Sequence, residues 1–209
     1  MSPMDSSDRF DTLASGWDID PVHIARTRDV ARLIRERIPL AGRAALEVGA
    51  GTGLLSFALS PDLGSVVASD PSSGMVSVLE TKIRQSGSGN VSARLGGDDL
   101  AGLDGPFDLV MLQMALHHIP DIASFLERVS GILAPGGFLA IADLDTEDGS
   151  FHGPDTSDVH LGFDRVDLVH WISVAGLEPV SIETVHKMFR TTEAGERVFP
   201  IFLAVALKH

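Results

Sequence analysis

The sequence predicts a three-layer αβα sandwich on a seven-stranded, mostly parallel sheet with an antiparallel last strand. Three observations lead there. Short apolar runs that stop at Gly, Asp or Pro alternate with segments whose apolar residues recur at helical spacing, the pattern of βαβ units with helices on both faces. A glycine-rich turn, Gly49-Ala-Gly-Thr-Gly53, separates the first such run from the helix after it. The last two runs are joined by a polar turn without a helix, which suits an antiparallel pair.

Taken in order, residues 1–20 are polar with isolated aromatics, Phe10 and Trp17. From Pro21 to Ile38 the apolar residues Val22, Ile24, Val30, Leu33, Ile34 and Ile38 follow helical spacing, and Pro39 and Gly42 end the helix. Ala44 to Val48 is a buried strand that stops at Gly49, and Gly53 to Ser60 is a short helix. Ser65 to Ser69 is a second strand, closed by Asp70-Pro71, and Ser73 to Gln85 is a helix. Val91 to Leu95 and Phe107 to Met114 are the third and fourth strands. Ile119 to Leu133 is helical, Pro135-Gly136-Gly137 turns the chain, and Phe138 to Ala142 is the fifth strand, ending at Asp143. Asp143 to Asp164 is rich in Asp, Gly, Ser and His and is too long for an ordinary connection, so it reads as a lid or binding segment. Asp164 caps a helix running to Ala175. Leu177 to Val185 and Val198 to Leu207 are the late strands, joined by Thr191 to Arg197. One domain over 1–209 is expected, with an N-terminal lid and helix (1–38), a cofactor-binding core (43–143), a substrate-loop insert (144–164) and a C-terminal helix and strand pair (165–209).

Composition narrows the function. The 209 residues are 44% hydrophobic and 22% charged, ordinary for a globular domain with a sizeable core. The formal charge of −13 comes without a basic stripe, so no nucleic-acid partner is expected. The arginines from Arg26 to Arg37 alternate with apolar residues, as on the solvated face of an amphipathic helix. There is no cysteine, which excludes disulfides, thiolate metal sites and cysteine nucleophiles. The acidic start has no apolar leader, and the longest apolar run, Phe199 to Leu207, is too short to span a bilayer. A cytoplasmic protein without membrane partners is the expectation.

The central motif is Glu47-Val-Gly-Ala-Gly-Thr-Gly53. Glycines permit a tight turn and bring backbone close to a ligand, and the helix beyond offers free N–H groups. Leu54 stands where a dinucleotide fingerprint would place its third glycine. Here the sequence resembles motif I of the class I S-adenosylmethionine-dependent methyltransferases, which are Rossmann-like. The resemblance continues in order along nearly the whole chain: Asp70 at the end of strand two, Asp98-Asp99-Leu100 after strand three, and Gln113-Met114-Ala115 ending strand four. Ala115-Leu-His-His-Ile119 and Leu133-Ala-Pro-Gly-Gly137 look like segments of its small-molecule branch. Phe10-Asp-x-x-Ala14-x-x-Trp17-Asp18 resembles its lid.

The resemblance implies a methyltransferase that takes its methyl group from S-adenosylmethionine and passes it to a small molecule. It implies a cofactor set of Trp17, Glu47, Gly49, Ala50, Gly51, Thr52, Gly53, Asp70, Pro71, Met75, Asp98, Asp99, Leu100, Gln113, Met114 and Ala115. Within it Asp70 accepts from the ribose hydroxyls, one of Asp98 and Asp99 meets the adenine amino group, and backbone near Gln113 meets the methionine amino group. Candidate bases cluster after strands four and five: His117, His118, Asp143, Glu147, His152 and His160. Three histidines and several acids at the sheet's carboxyl edge could also bind a metal, but no pair has a tight metal-ligand spacing such as His-Glu-x-x-His, and no metal is expected. Two other readings compete, a non-catalytic module that binds the same cofactor and a nicotinamide-dependent oxidoreductase. The second lacks the third glycine and a recognisable hydride site.

Overall fold

Strand β4 (Phe107–Gln113) shows why the sheet is buried on both faces. Leu109 and Met111 pack on one side, Val110 and Leu112 on the other, and all four are at most 1% exposed. Alternate residues of a strand point to opposite faces, so an unbroken apolar run serves two cores at once. Each such side chain contributes about 1.5–3 kcal/mol through burial. The computed structural model describes residues 6–152, 159–192 and 195–209.

The elements are α1 (Ser6–Leu13), a 3-10 turn (Ala14–Ile19), α2 (Pro21–Arg37), β1 (Ala44–Val48), α3 (Leu54–Leu59), β2 (Ser65–Asp70) and α4 (Ser73–Ser86). There follow β3 (Val91–Leu95), β4, a 3-10 turn (Leu116–His118), α5 (Ile122–Ile132), β5 (Leu133–Leu144), α6 (Arg165–Val174), β6 (Glu178–Thr192) and β7 (Gly195–Leu207). The strand order is β3-β2-β1-β4-β5-β7-β6. Strands β1 to β5 pair in parallel, and β7 runs antiparallel between β5 and β6. The order therefore reverses between β1 and β4, where the carboxyl ends of the strands open a crevice for a ligand. One core lies under α2 and α3, around Ile34, Leu55 and Leu59. The other lies under α5 and α6, around Phe125, Leu126 and Ile172. No helix among the described residues is long and apolar enough to cross a membrane.

The largest departures from the sequence expectation are at three places. Helix α5 begins at Ile122, not Ile119. Pro120 disfavours helical backbone at Ile119, which is extended (φ −90°, ψ 115°), and Asp121 caps the helix by accepting from Ser124 N at 3.1 Å. Strand β5 begins at Leu133, which pairs with Phe107 before a register shift, so the Pro135-Gly136-Gly137 turn lies inside the strand as an irregularity. The β6–β7 ribbon runs past the expected turn, with Arg190, Thr191 and Thr192 opposite Arg197, Glu196 and Gly195. Polar residues pair as readily as apolar ones once the ribbon leaves the core, so composition does not mark its end.

Gly53 fixes the angle at which the chain leaves β1. It adopts φ 81°, and a Cβ there would stand 2.5 Å from the Leu79 side chain of α4. Gly53→Ala should therefore cost about 1–3 kcal/mol through left-handed strain and the contact with α4. Denaturant unfolding of the variant measures this loss.

Candidate active site

The crevice floor is the turn between β1 and α3. A Cβ added at Gly51 (φ 55°) would lie 3.8 Å from Met75 Sδ and 3.9 Å from Trp17 Nε1, so the backbone here faces a space shared with both side chains. Asp70, at the end of β2, is 7% exposed; its Oδ2 accepts from Gly51 N at 2.6 Å and its Oδ1 from Ser72 N at 2.9 Å. Burial raises the Asp70 carboxyl above its ordinary range, against the pull of those two N–H groups. Its remaining lone pairs are available to hydroxyls. Ala50 N donates to Ser69 O at 2.9 Å, and Thr52 O accepts from Lys82 Nζ at 2.8 Å, which ties the turn to β2 and α4. Pro71 is exposed at the turn, while Met75 is buried beneath it.

Glu47, two residues before this turn, faces α3. It is 2% exposed, its carboxyl accepts from Ser56 Oγ of α3, and burial pushes it up to about 8.

The N-terminal segment that resembles a lid is held down by its acids. Asp11 Oδ1 accepts from Ser72 Oγ at 2.5 Å and from Gly74 N at 2.8 Å, at the start of α4. Asp18 pairs with Lys82 Nζ at 2.7 Å and accepts from Thr52 Oγ1. Trp17 lies against the His23 ring at 4.1 Å, and Phe10 reaches both Trp17 (6.0 Å) and His118 (5.4 Å), edge-on to each. Asp11 and Asp18 were visible as the acids following Phe10 and Trp17, but nothing in the spacing assigned them a partner.

After β3, Asp99 Oδ1 accepts from Ala101 N at 3.1 Å and is exposed, spent on its own turn. Asp98 is half-buried beside it. Leu100 adopts φ 56°, rare for a non-glycine residue, and its N–H faces Gly97 O at 3.3 Å. Met114, after β4, also adopts φ 56°. Such strained positions concentrate at ligand sites. Gln113 Nε2 donates to Thr27 Oγ1 at 2.9 Å, whereas its Oε1 is buried without a partner among the described residues. Ala115 lies beneath Gly49, where a Cβ would meet its own at 2.5 Å.

At the ends of β4 and β5 stands a buried polar pair. Asp143 is fully buried and His117 is 2% exposed; His117 Nδ1 lies 2.7 Å from Asp143 Oδ1. Burial alone would raise the Asp143 carboxyl, but His117 opposite and the N–H groups of Leu144 and His117 hold it below the usual range. The Asp143 charge also acts on Arg26, which is 4% exposed, donates to Met188 Sδ at 3.7 Å and is pushed by burial down to about 10. His152 Nε2 lies 3.2 Å from His117 Nε2, and the His117 and His118 rings are 4.2 Å apart. His160 is elsewhere in its bonding: Nε2 faces Ile119 O at 3.0 Å, and its N–H donates to His117 O. Glu147 turns to Phe151 N at 3.1 Å. The structure thus joins His117, His118, His152 and Asp143, and leaves His160 and Glu147 bracing the loop. The rest of the expected insert, 153–158, lies outside the described residues.

Strand order, glycine turn and the acid ending β2 define an α/β domain that holds a nucleoside-bearing cofactor. Residues 46–139 match a family model described as a methyltransferase domain. The chain is 31% identical over 163 residues to a ubiquinone biosynthesis O-methyltransferase of Azorhizobium caulinodans, covering 68% of this chain and 63% of that one. It is 33% identical over 144 residues to the protein of that name from Xylella fastidiosa, covering 66% and 58%. The chain spans about three fifths of the length of these curated relatives. A solved S-adenosylmethionine-dependent methyltransferase from Aquifex aeolicus shares the fold, with a TM-score of 0.75 at 21% identity over 99% of this chain and all of that one. Residues 46–139 thus carry a methyltransferase-domain match, and the chain as a whole has the fold of the class I S-adenosylmethionine-dependent methyltransferases.

The cradle fits that cofactor. Gly51 leaves room at the turn, Asp70 offers a charged acceptor, and Gln113 Oε1 is an acceptor with nothing yet to accept from. Asp70→Asn should weaken binding of the cofactor by about 1–3 kcal/mol, because hydroxyls lose a charged acceptor while the side chain keeps its shape. Calorimetry with S-adenosylhomocysteine tests it. Glu47 has a raised folded pKa, so folding gains most below its unfolded value of 4.5, and that gain is lost as pH rises through about 8. Glu47→Gln should accordingly raise the melting temperature more at pH 9 than at pH 5, as read by calorimetric scans.

Proposed function

We propose that the chain transfers the methyl group of S-adenosylmethionine to a hydroxyl oxygen of a small molecule, with the Asp143–His117 pair meeting the acceptor's proton. The observation that carries this reading is a buried imidazole, fixed by a buried carboxylate, at the crevice edge beside the cofactor cradle. The curated relatives named as O-methyltransferases favour oxygen as the acceptor atom. A non-catalytic module gives the buried pair no work, and the methyltransferase-domain match over residues 46–139 favours methyl transfer over hydride transfer.

Bound S-adenosylmethionine supplies a methyl group on a sulfonium, already a good leaving group. The chain's task is then alignment, exclusion of water and care of one proton. Asp70 holds the ribose, Asp98 takes the adenine amino group in preference to Asp99, and Gln113 Oε1 receives the ammonium. Phe10 and Trp17, latched by Asp11 and Asp18, keep water out. Asp143 accepts from His117 Nδ1–H, which fixes the tautomer and leaves the Nε2 lone pair for the acceptor's O–H. The imidazolium formed as the O–CH3 bond closes is stabilised by the same carboxylate.

The first test is calorimetry with S-adenosylmethionine and NAD. Micromolar binding of the first and far weaker binding of the second is expected; the reverse would overturn the assignment. With an acceptor found by screening phenols and alcohols, His117→Ala should lower kcat about 100- to 10,000-fold and leave cofactor affinity near the parent's. Full turnover in that variant would remove the pair from the mechanism.

A further inference from the structure

The proton-handling pair accounts for His117 and Asp143 but not for the two imidazoles gathered on them. His118 follows His117 in the 3-10 turn after β4, and His152 arrives from the loop after β5, 35 residues along the chain. One ring nitrogen from each of the three lies within 4.8 Å of the other two. Linear spacing gave no sign of this set, because its third member comes from a different connection.

We infer that His117, His118 and His152 form a site for a divalent transition-metal ion of the Zn2+ or Co2+ kind. The protonation pattern supports it. Asp143, without solvent exposure, accepts a hydrogen bond from His117 Nδ1–H, so the ring's lone pair is on Nε2. That lone pair points at His152 Nε2, 3.2 Å away. Donors on a tetrahedral ion with nitrogen bonds of ordinary length stand about 3.4 Å apart, so this edge is already close to the required size. Closing the rest takes rotation of the half-buried His118 or His152 rings. A carboxylate on the far nitrogen of a ligating histidine orients the ring and strengthens it as a donor, and Asp143 does both here. The chemistry of the set selects the ion: three imidazoles suit zinc, cobalt, nickel or copper and do not suit magnesium or calcium. The surroundings hold the third ligand in place. Phe151 packs edge-on to His152 at 4.8 Å, Arg190 donates to Phe151 O at 2.7 Å, and Phe10 packs edge-on to His118.

Three protein ligands leave a fourth position open. Resting on the methyl-transfer reading above, this position takes the acceptor's hydroxyl oxygen. Coordination lowers the hydroxyl pKa and its proton leaves to solvent; the oxygen lone pair forms the O–CH3 bond while the S–CH3 pair returns to sulfur as a neutral thioether. In the loaded protein His117 is then a ligand, and in the metal-free protein its Nε2 takes the proton itself.

The test uses the full chain, stripped with a chelator and titrated with Co2+ and separately with Zn2+. One ion per chain is expected, with the intense visible absorption of low-coordinate cobalt. His152→Ala and His118→Ala should each abolish that absorption, and Asp143→Asn should weaken binding about 10- to 100-fold. Cofactor affinity in both histidine variants should match the parent, which certifies their fold. The inference fails if the parent binds no Co2+, if both variants keep the same absorption, or if Mg2+ binds where Co2+ does not. Cofactor binding by the parent decides the methyl-transfer reading separately: metal without cofactor sinks that reading alone, and cofactor without metal sinks the ion site alone.

Discussion

Asp143 carries a charge in a place where water does not reach, and the crevice is organised around keeping it there. An unpaired buried carboxylate is costly enough that it would rather take up a proton. Here His117 Nδ1 and two backbone N–H groups surround it, and Arg26 adds a more distant positive charge. The arrangement depends on the sheet. Strand β5 lies between β4 and β7, so Asp143 emerges beside the end of β4, where the short turn carrying His117 begins. Removing either partner of such a pair leaves the other uncompensated, which is why the two act as one unit.

The two halves of the crevice are held by different physics. On the β1–β2 side, backbone groups and a buried acid make a rigid floor, with Gly51 N bonded to Asp70 and Ala50 N bonded to β2. On the roof, α1 and the 3-10 turn after it are secured through exposed or half-exposed acids: Asp11 on the start of α4 and Asp18 on Lys82. Surface contacts of this kind are individually weak and screened by salt. A firm floor under a lightly fastened roof suits a ligand that must enter and leave at every turnover.

Much of the fold was legible because its signals are local. The alternation of apolar runs, Asp164 as a cap, and the Gly49–Gly53 turn each act within a few residues of themselves. The acid at the end of β2 was legible for the same reason. What escaped was non-local. Glu47 looks like part of the cofactor motif, yet its partner is Ser56 across the turn. His152 and His160 look equivalent in the loop, yet one joins His117 and the other spends its ring on Ile119 O. Asp99 closes its own turn and is exposed, whereas its neighbour Asp98 is half-buried. Which of two like residues joins the site depends on backbone partners that no spacing rule displays.

The projecting end of the β6–β7 ribbon has a consequence for how such a protein changes over time. Its tip reaches back to the loop after β5 through Arg190 on Phe151 and Arg197 on Asp148, while Arg165 of α6 grips Asp145 with two bonds of 2.7 Å. These grips belong to the C-terminal part of the chain, whereas the floor of the crevice belongs to the first three strands. Lengthening or shortening the ribbon would move the loop, and with it His152, without disturbing any bond beneath the nucleoside. The grips and the floor use different bonds, so a change in ribbon length acts first on the loop that carries His152.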